Sequence, residues 1–250
     1  MGTGIVSRGV FLTGDVDIGI TGYFHFEVGG QTLWITTTHV SLLIVVIALT
    51  VFALIANRAI KRANPESVPG PFLNVIELLV EAVDNLTKSN MGKRGCRFSN
   101  YIGTLFIVVI VCNISGLFGL RPPTADYGVT LPLALITFVM IHYNGFKYEK
   151  AGHVTKLFKP VLLTPINIIG EVATPLSMSL RLFGNILSGT VMMGLLYGLL
   201  PKLLQAFIWP VFGVLHVYFD VFSGAIQAYV FCMLTMVFIA QNFPEDEVQG

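Results

Sequence analysis

Apolar and polar positions fall in blocks along this chain. Five apolar runs cover 35–57, 101–120, 127–145, 161–200 and 203–242. About 20 helical residues at ~1.5 Å each cross a hydrocarbon core of ~30 Å, so these runs predict membrane-embedded helices. Between the first two lies a different pattern, over 72–88. There Glu77, Glu81, Asp84 and Lys88 recur at steps of four, three and four, while Leu73, Ile76, Leu79, Val80 and Val83 fill the other side. That spacing predicts an amphipathic helix, too charged to span, lying at the membrane surface or against a neighbouring subunit. A solvated face with no specific partner is the plainer alternative. Residues 1–30 are Gly-rich and mixed, and read as a short extracytoplasmic arm with a hairpin around Tyr23–Val28.

Breakers separate the runs. Asn64, Pro65, Pro69, Gly70 and Pro71 mark a loop, and Arg121, Pro122 and Pro123 mark a turn. The last two runs each approach 40 residues, or ~60 Å as helix, about twice the hydrocarbon thickness. They must be broken or strongly tilted, with Pro165, Pro175 and Pro210 as candidate kinks. The short link near Pro201 predicts an antiparallel hairpin. The expected fold is a single domain over residues 1–250: an all-α polytopic membrane protein with about five embedded helices, one amphipathic interfacial helix, and the last two helices long and tilted as a hairpin.

Composition excludes an ordinary soluble domain. Hydrophobic residues make up 54% of the chain and charged residues 12%, with a mean hydropathy of +0.76, against about 25% charged in soluble domains. Charge also orients the helices. With five spans and the N-terminus outside, eleven of the fifteen basic residues face the cytoplasm (58, 61, 62, 88, 93, 94, 97, 147, 150, 156 and 159) and only Arg8, Arg121 and Lys202 face outward. The opposite orientation would invert the positive-inside bias.

The fifteenth basic residue is Arg181, inside the fourth apolar run. An arginine at the bilayer centre costs roughly 2.5–3.5 kcal/mol on insertion scales, which makes it a functional-site hypothesis that calls for a partner. Steps of three and four from Arg181 reach Glu171, Thr174, Ser177, Asn185 and Ser188, one polar stripe on an apolar helix. Ser and Thr on such a stripe also serve as ordinary packing contacts. The last run carries a second stripe, His216, Asp220, Ser223 and Gln227, at four, three and four. Together the stripes hold the carboxylates, imidazole and amides of which proton relays are built. His216 is the weakest member, because a lone histidine near a helix end is more often interfacial. Gly184, Gly189, Gly194 and Gly198 read as sites of close helix approach.

Other chemistry finds no support. The chain has no phosphate-binding GxxxxGK[ST] loop, no Ser-His-Asp signature and no pair of histidines spaced for haem or metal, so neither a cofactor nor a metal is expected. Cys96, Cys112 and Cys232 lack zinc spacing, and the last two read as small hydrophobes.

Pro165 to Ile169, then Pro175 to Asn185 with Arg181 followed by Leu182, Phe183 and Gly184, resemble the signature of subunit a of F-type ATP synthases. Gln227, Ala228, Tyr229, Val230 and Phe231 resemble that family's second signature. The resemblance spans roughly residues 30–243 and favours bacterial and plastid members. It implies an ion-conducting stator subunit without nucleotide chemistry of its own, one copy per complex. Implied partners are a ring of c subunits, the peripheral-stalk b subunits and the lipid bilayer, with no nucleic acid. The implied setting is a bacterial plasma membrane, N-terminus outside and C-terminus cytoplasmic. The resemblance makes Arg181 the fixed cation facing the ring carboxylates between two aqueous half-channels. It associates Asn185, Asp220 and Gln227 with the outer half-channel and Glu171 with the cytoplasmic one, with Ser177 and His216 beside them. One departure is Thr190, where many members carry an acidic residue; another is Asp220, where they often carry histidine. The acidic group has thus moved to the facing helix. Two other readings are a stand-alone proton-linked secondary transporter or channel, and a structural anchor in a respiratory complex. The single copy of the arginine stretch counts against a repeat-built transporter.

Overall fold

A computed structural model describes residues 22–28, 31–63, 70–150, 152, 155, 158, 164–199, 210–211 and 213–243. The expectations for the first part of the arm, for Lys156 and Lys159, and for the link carrying Lys202 lie outside the described residues.

Strands β1 (Gly22–Val28) and β2 (Gln31–Thr36) pair antiparallel. Helix α1 (Thr37–Arg62) follows directly. It starts two residues later than the apolar run because Ile35 and Thr36 belong to the hairpin. It continues through Arg58 and Lys61, since an exposed helical turn needs no apolar residue, and stops at Ala63 before Asn64 and Pro65. Helix α2 (Pro71–Met91) starts on a proline, whose missing N–H is no loss in a first turn. Gly92, at φ 66°, ends it. Helices α3 (Ser99–Ile114) and α4 (Tyr127–Glu149) are joined by two 3₁₀ turns, Ser115–Phe118 and Pro123–Ala125. The Asp126 carboxylate accepts the Gly128 N–H at 2.9 Å and caps α4.

Helix α5 (Thr164–Leu199) is unbroken over 36 residues, passing through Pro175 without interruption. That length is ~54 Å at 1.5 Å per residue. The last helix, α6 (Gly213–Ala240), is wound as a π-helix over Val217–Ser223 and as an α-helix over Gly224–Ala240. Among the described residues, five helices, α1, α3, α4, α5 and α6, are long and apolar enough to cross a membrane. The chain is an all-α multi-pass membrane protein with one small hairpin ahead of its first span.

The core lies where α3, α4, α5 and α6 meet the last turns of α2. Ile102, Val109, Ala134, Leu182, Ala228, Phe231, Cys232, Met236 and Ile239 are buried there. Helix α1 stays at the margin, its apolar side chains mostly exposed on the chain itself. Burial inside a bilayer leaves such a helix facing lipid or another subunit at no hydrophobic cost. Two polar contacts tie the core helices together. The Tyr101 and Thr137 hydroxyls lie 3.2 Å apart. The Asn242 amide donates to the Ile141 carbonyl at 3.3 Å, which ties the end of α6 to α4.

Candidate functional site

Helix α5 has two opposed faces. Pro175, Met178, Ser179, Leu182, Ile186 and Gly189 are buried in the bundle. Ser177, Leu180, Arg181 and Ser188 are exposed on the opposite face. Pro175, Met178, Leu182, Ile186 and Gly189 recur at steps of three and four and form the buried face. Arg181, one residue before Leu182, is turned about 100° round the helix from that face. The reverse side is held by Tyr127 of α4. Its hydroxyl accepts from Ser179 Oγ at 3.4 Å, and its ring meets Phe183 edge-on at 5.7 Å. An added methyl at Gly184 would touch nothing, so the face stays open one turn beyond Arg181.

Among the described residues Arg181 makes no hydrogen bond or ion pair. Asp220 is engaged on its own helix. The Asp220 carboxylate contacts His216 Nδ1 at 3.0 Å, one helical turn back. Asp220 is therefore only partly buried, with a side-chain exposure of 19%.

The two stripes do meet, at one point. Asn185 Nδ2 donates to Ser223 Oγ at 2.9 Å, and Ser223 Oγ donates back to Asn185 Oδ1 at 3.1 Å. Gly189 is buried against Phe219, which continues the seam as the close-approach reading expected, whereas Gly184 is not in it. Gln227 is buried, and its Nε2 has no partner among the described residues. Ser177 stays on the exposed face beside Arg181.

The C-terminal end of α3 closes over Asp220. The Asn113 amide donates to the Gly224 carbonyl at 2.8 Å, and its oxygen accepts from Thr124 Oγ1 at 2.7 Å. All three residues are buried. A Cβ on Gly116 would lie 3.5 Å from the Asp220 carboxylate. Sequence reading missed Asn113 and Thr124. An amide inside an apolar span was the available signal, because a polar group there needs a partner. The π-helix over Val217–Ser223 carried no such signal. Extra windings of this kind recur at functional sites.

Glu171 lies at the other end of the stripe. Its carboxylate is 3.5 Å from His142 Nε2, a residue of α4 that sequence reading left aside.

The family described as ATP synthase A chain matches residues 39–240, most of the chain and all five of its spans. The chain belongs to the ATP synthase A chain family. It is 37% identical over 202 residues to the "ATP synthase subunit a, sodium ion specific" of Propionigenium modestum, covering 74% of this chain and 68% of that protein. It is 34% identical over 223 residues to ATP synthase subunit a of Lysinibacillus sphaericus, covering 84% and 92%. Against ATP synthase subunit a of Mycoplasmoides gallisepticum the identity is 30% over 235 residues, covering 83% and 78%.

As an ATP synthase A chain, the protein is an ion-translocating stator subunit of the F-type membrane sector and works in a complex with other ATP synthase subunits. The stand-alone transporter reading is not favoured by these matches. Arg181 stands on the open face of α5 with no ion-pair partner among the described residues, and a cation in hydrocarbon must find an anion or water.

Proposed function

We propose that the chain, as a single membrane domain, passes ions to and from carboxylates on a ring of c subunits through two half-channels separated by Arg181. The observation that carries this reading is the isolation of Arg181 on the exposed face of α5 while Asn185 pairs with Ser223 and Asp220 with His216. Asp220, His216, Asn185 and Gln227 serve the outer half-channel, and Glu171 the cytoplasmic one. Ser177, exposed beside Arg181, lines the ring-facing side. The length of α5 favours a strong tilt across the bilayer. Peripheral-stalk b subunits and lipid cover the remaining outer faces, with one copy of the chain per complex. The nucleotide chemistry belongs to other subunits. The basic-residue bias supports an outside N-terminus and a cytoplasmic C-terminus in a bacterial plasma membrane.

The mechanism follows from charge. A nearby cation favours the ionised form of a carboxylate. A protonated ring site arriving beside Arg181 therefore releases its proton into one half-channel, and takes up another only after moving past into the second. Flux is tied to rotation, and the energy in play is ~2.3 kcal/mol per charge per 100 mV. Arginine suits this position because it keeps its charge when poorly solvated, whereas a buried lysine can neutralise.

The test is ATP-driven proton pumping in vesicles carrying the assembled complex, wild type against Arg181→Ala, with ring copurification as the assembly check. Loss of pumping with assembly intact is expected. Normal coupled pumping by the variant would overturn the reading.

A further inference from the structure

His142 and Glu171 form a pair the polar stripes did not anticipate. His142 sits on α4 and Glu171 on α5, and the two helices pack along one another. His142 Nε2 lies 3.5 Å from Glu171 Oε2. Both side chains keep access to the surroundings, at 23% and 37% exposure. Glu171 precedes Arg181 by ten residues, ~15 Å along a helix. The Asn185–Ser223 contact lies on the other side of Arg181, so this pair and the Asp220 cluster occupy opposite ends of the stripe.

The imidazole is held in one tautomer. His142 Nδ1 is 3.0 Å from the Phe138 carbonyl oxygen. A carbonyl only accepts, so Nδ1 carries a hydrogen and donates it. Nε2 is then the ring atom that gains and loses the exchangeable proton, and it faces a carboxylate oxygen. With no proton between them, two lone pairs would face each other. With one proton, the pair is either imidazolium and carboxylate, or imidazole and carboxylic acid.

We propose that His142 and Glu171 together form a one-proton carrier site in the cytoplasmic half-channel, rather than a static packing contact. This rests on the half-channel reading above and adds both a second residue and the ion's identity. A proton delivered by hydronium protonates Nε2 and leaves water. The proton shifts to Glu171 Oε2, and the imidazole returns to its Nδ1–H form. Glu171 then passes the proton towards the ring and regains its charge. No oxidant or other reactant is required. The chemistry is specific to H⁺, since it depends on O–H and N–H bonds that Na⁺ cannot form.

The experiment uses the assembled complex in inverted vesicles, with ring copurification as the assembly check. ATP-driven acidification is compared for wild type, His142→Gln, His142→Asn, Glu171→Gln, the His142→Gln/Glu171→Gln double variant and the exchanged pair His142→Glu/Glu171→His. Each single variant should slow acidification by about tenfold or more, since positioned proton-transfer groups contribute on that scale. The double variant should be no slower than the slower single, because the two residues act as one unit. The exchanged pair should recover most of the rate, which simple packing would not predict. Wild-type acidification by assembled His142→Gln overturns the inference. So does an assembled exchanged pair as slow as the single variants, or ATP-driven Na⁺ uptake in place of acidification. Acidification that survives Arg181→Ala overturns the rotary reading and this inference with it, so the two failures are separable.

Discussion

Asn185 of α5 and Ser223 of α6 are joined side chain to side chain, at 2.9 and 3.1 Å, where the two polar stripes cross. This contact fixes the rotation of one long helix against the other. It leaves Arg181, one turn before Asn185, with no partner among the described residues. Asn185→Ala and Ser223→Ala should each destabilise the assembled subunit by about 1 kcal/mol, within the range of interhelical hydrogen bonds in membranes. The double variant should lose little more than either single. Thermal dissociation of the solubilised complex measures this; additive losses would show that the two side chains do not act together.

Asp220 lies against His216 and packs close to Gly116, where a Cβ would come within 3.5 Å of its carboxylate. Asp220→Asn keeps the shape and removes the exchangeable charge. It should lower ATP-driven proton pumping by about a hundredfold, the scale of a positioned proton-transfer group. Asp220→Glu should retain a substantial part. Unchanged flux in assembled Asp220→Asn would remove Asp220 from the ion path.

Gly224 is a packing requirement. A Cβ there would come within 2.9 Å of Asn113 Cβ and disturb the amide that bonds the Gly224 carbonyl. Gly224→Val should cost about 1–3 kcal/mol through overpacking and reduce the subunit retained in membranes. Gly184→Ala meets nothing within 4 Å and should leave that amount unchanged. Equal retention of Gly224→Val and wild type would contradict the close approach of α3 and α6.

The cysteines give a test of burial without substitution. Cys96 is exposed, while Cys112 and Cys232 are buried in the bundle. A water-soluble maleimide should label Cys96 alone in the folded subunit, and all three after denaturation. Rapid labelling of Cys232 in the native state would be incompatible with the α3–α6 packing.

Much of the architecture is legible in the chain because hydropathy and helical period are local properties. The five spans and the amphipathic α2 follow from runs and spacings that need no knowledge of neighbours. The Arg181 signal is equally local, since a charge in an apolar run is costly wherever the helix packs. The limits of legibility are just as physical. Ile35 and Thr36 are apolar or neutral enough to join α1, yet pair with β1 because hydrogen bonds across a hairpin involve residues apart in sequence. The bonds of Asn113 to Gly224 and Thr124 join residues apart in sequence, by more than 100 positions for the Asn113–Gly224 bond.

The sequence by itself determined which residues stand out: Arg181, Glu171, Asn185, Asp220 and Gln227 declare themselves because polar groups at membrane depth are expensive. Only the tertiary structure decided who meets whom. Asn185 meets Ser223, Asp220 meets His216, Glu171 meets His142, and Arg181 meets none of them. The reason is that helical spacing specifies a face but not its neighbour. Rotation about each helix axis is set by burial of side chains such as Met178 and Leu182 against other helices, and that packing is a property of the whole bundle.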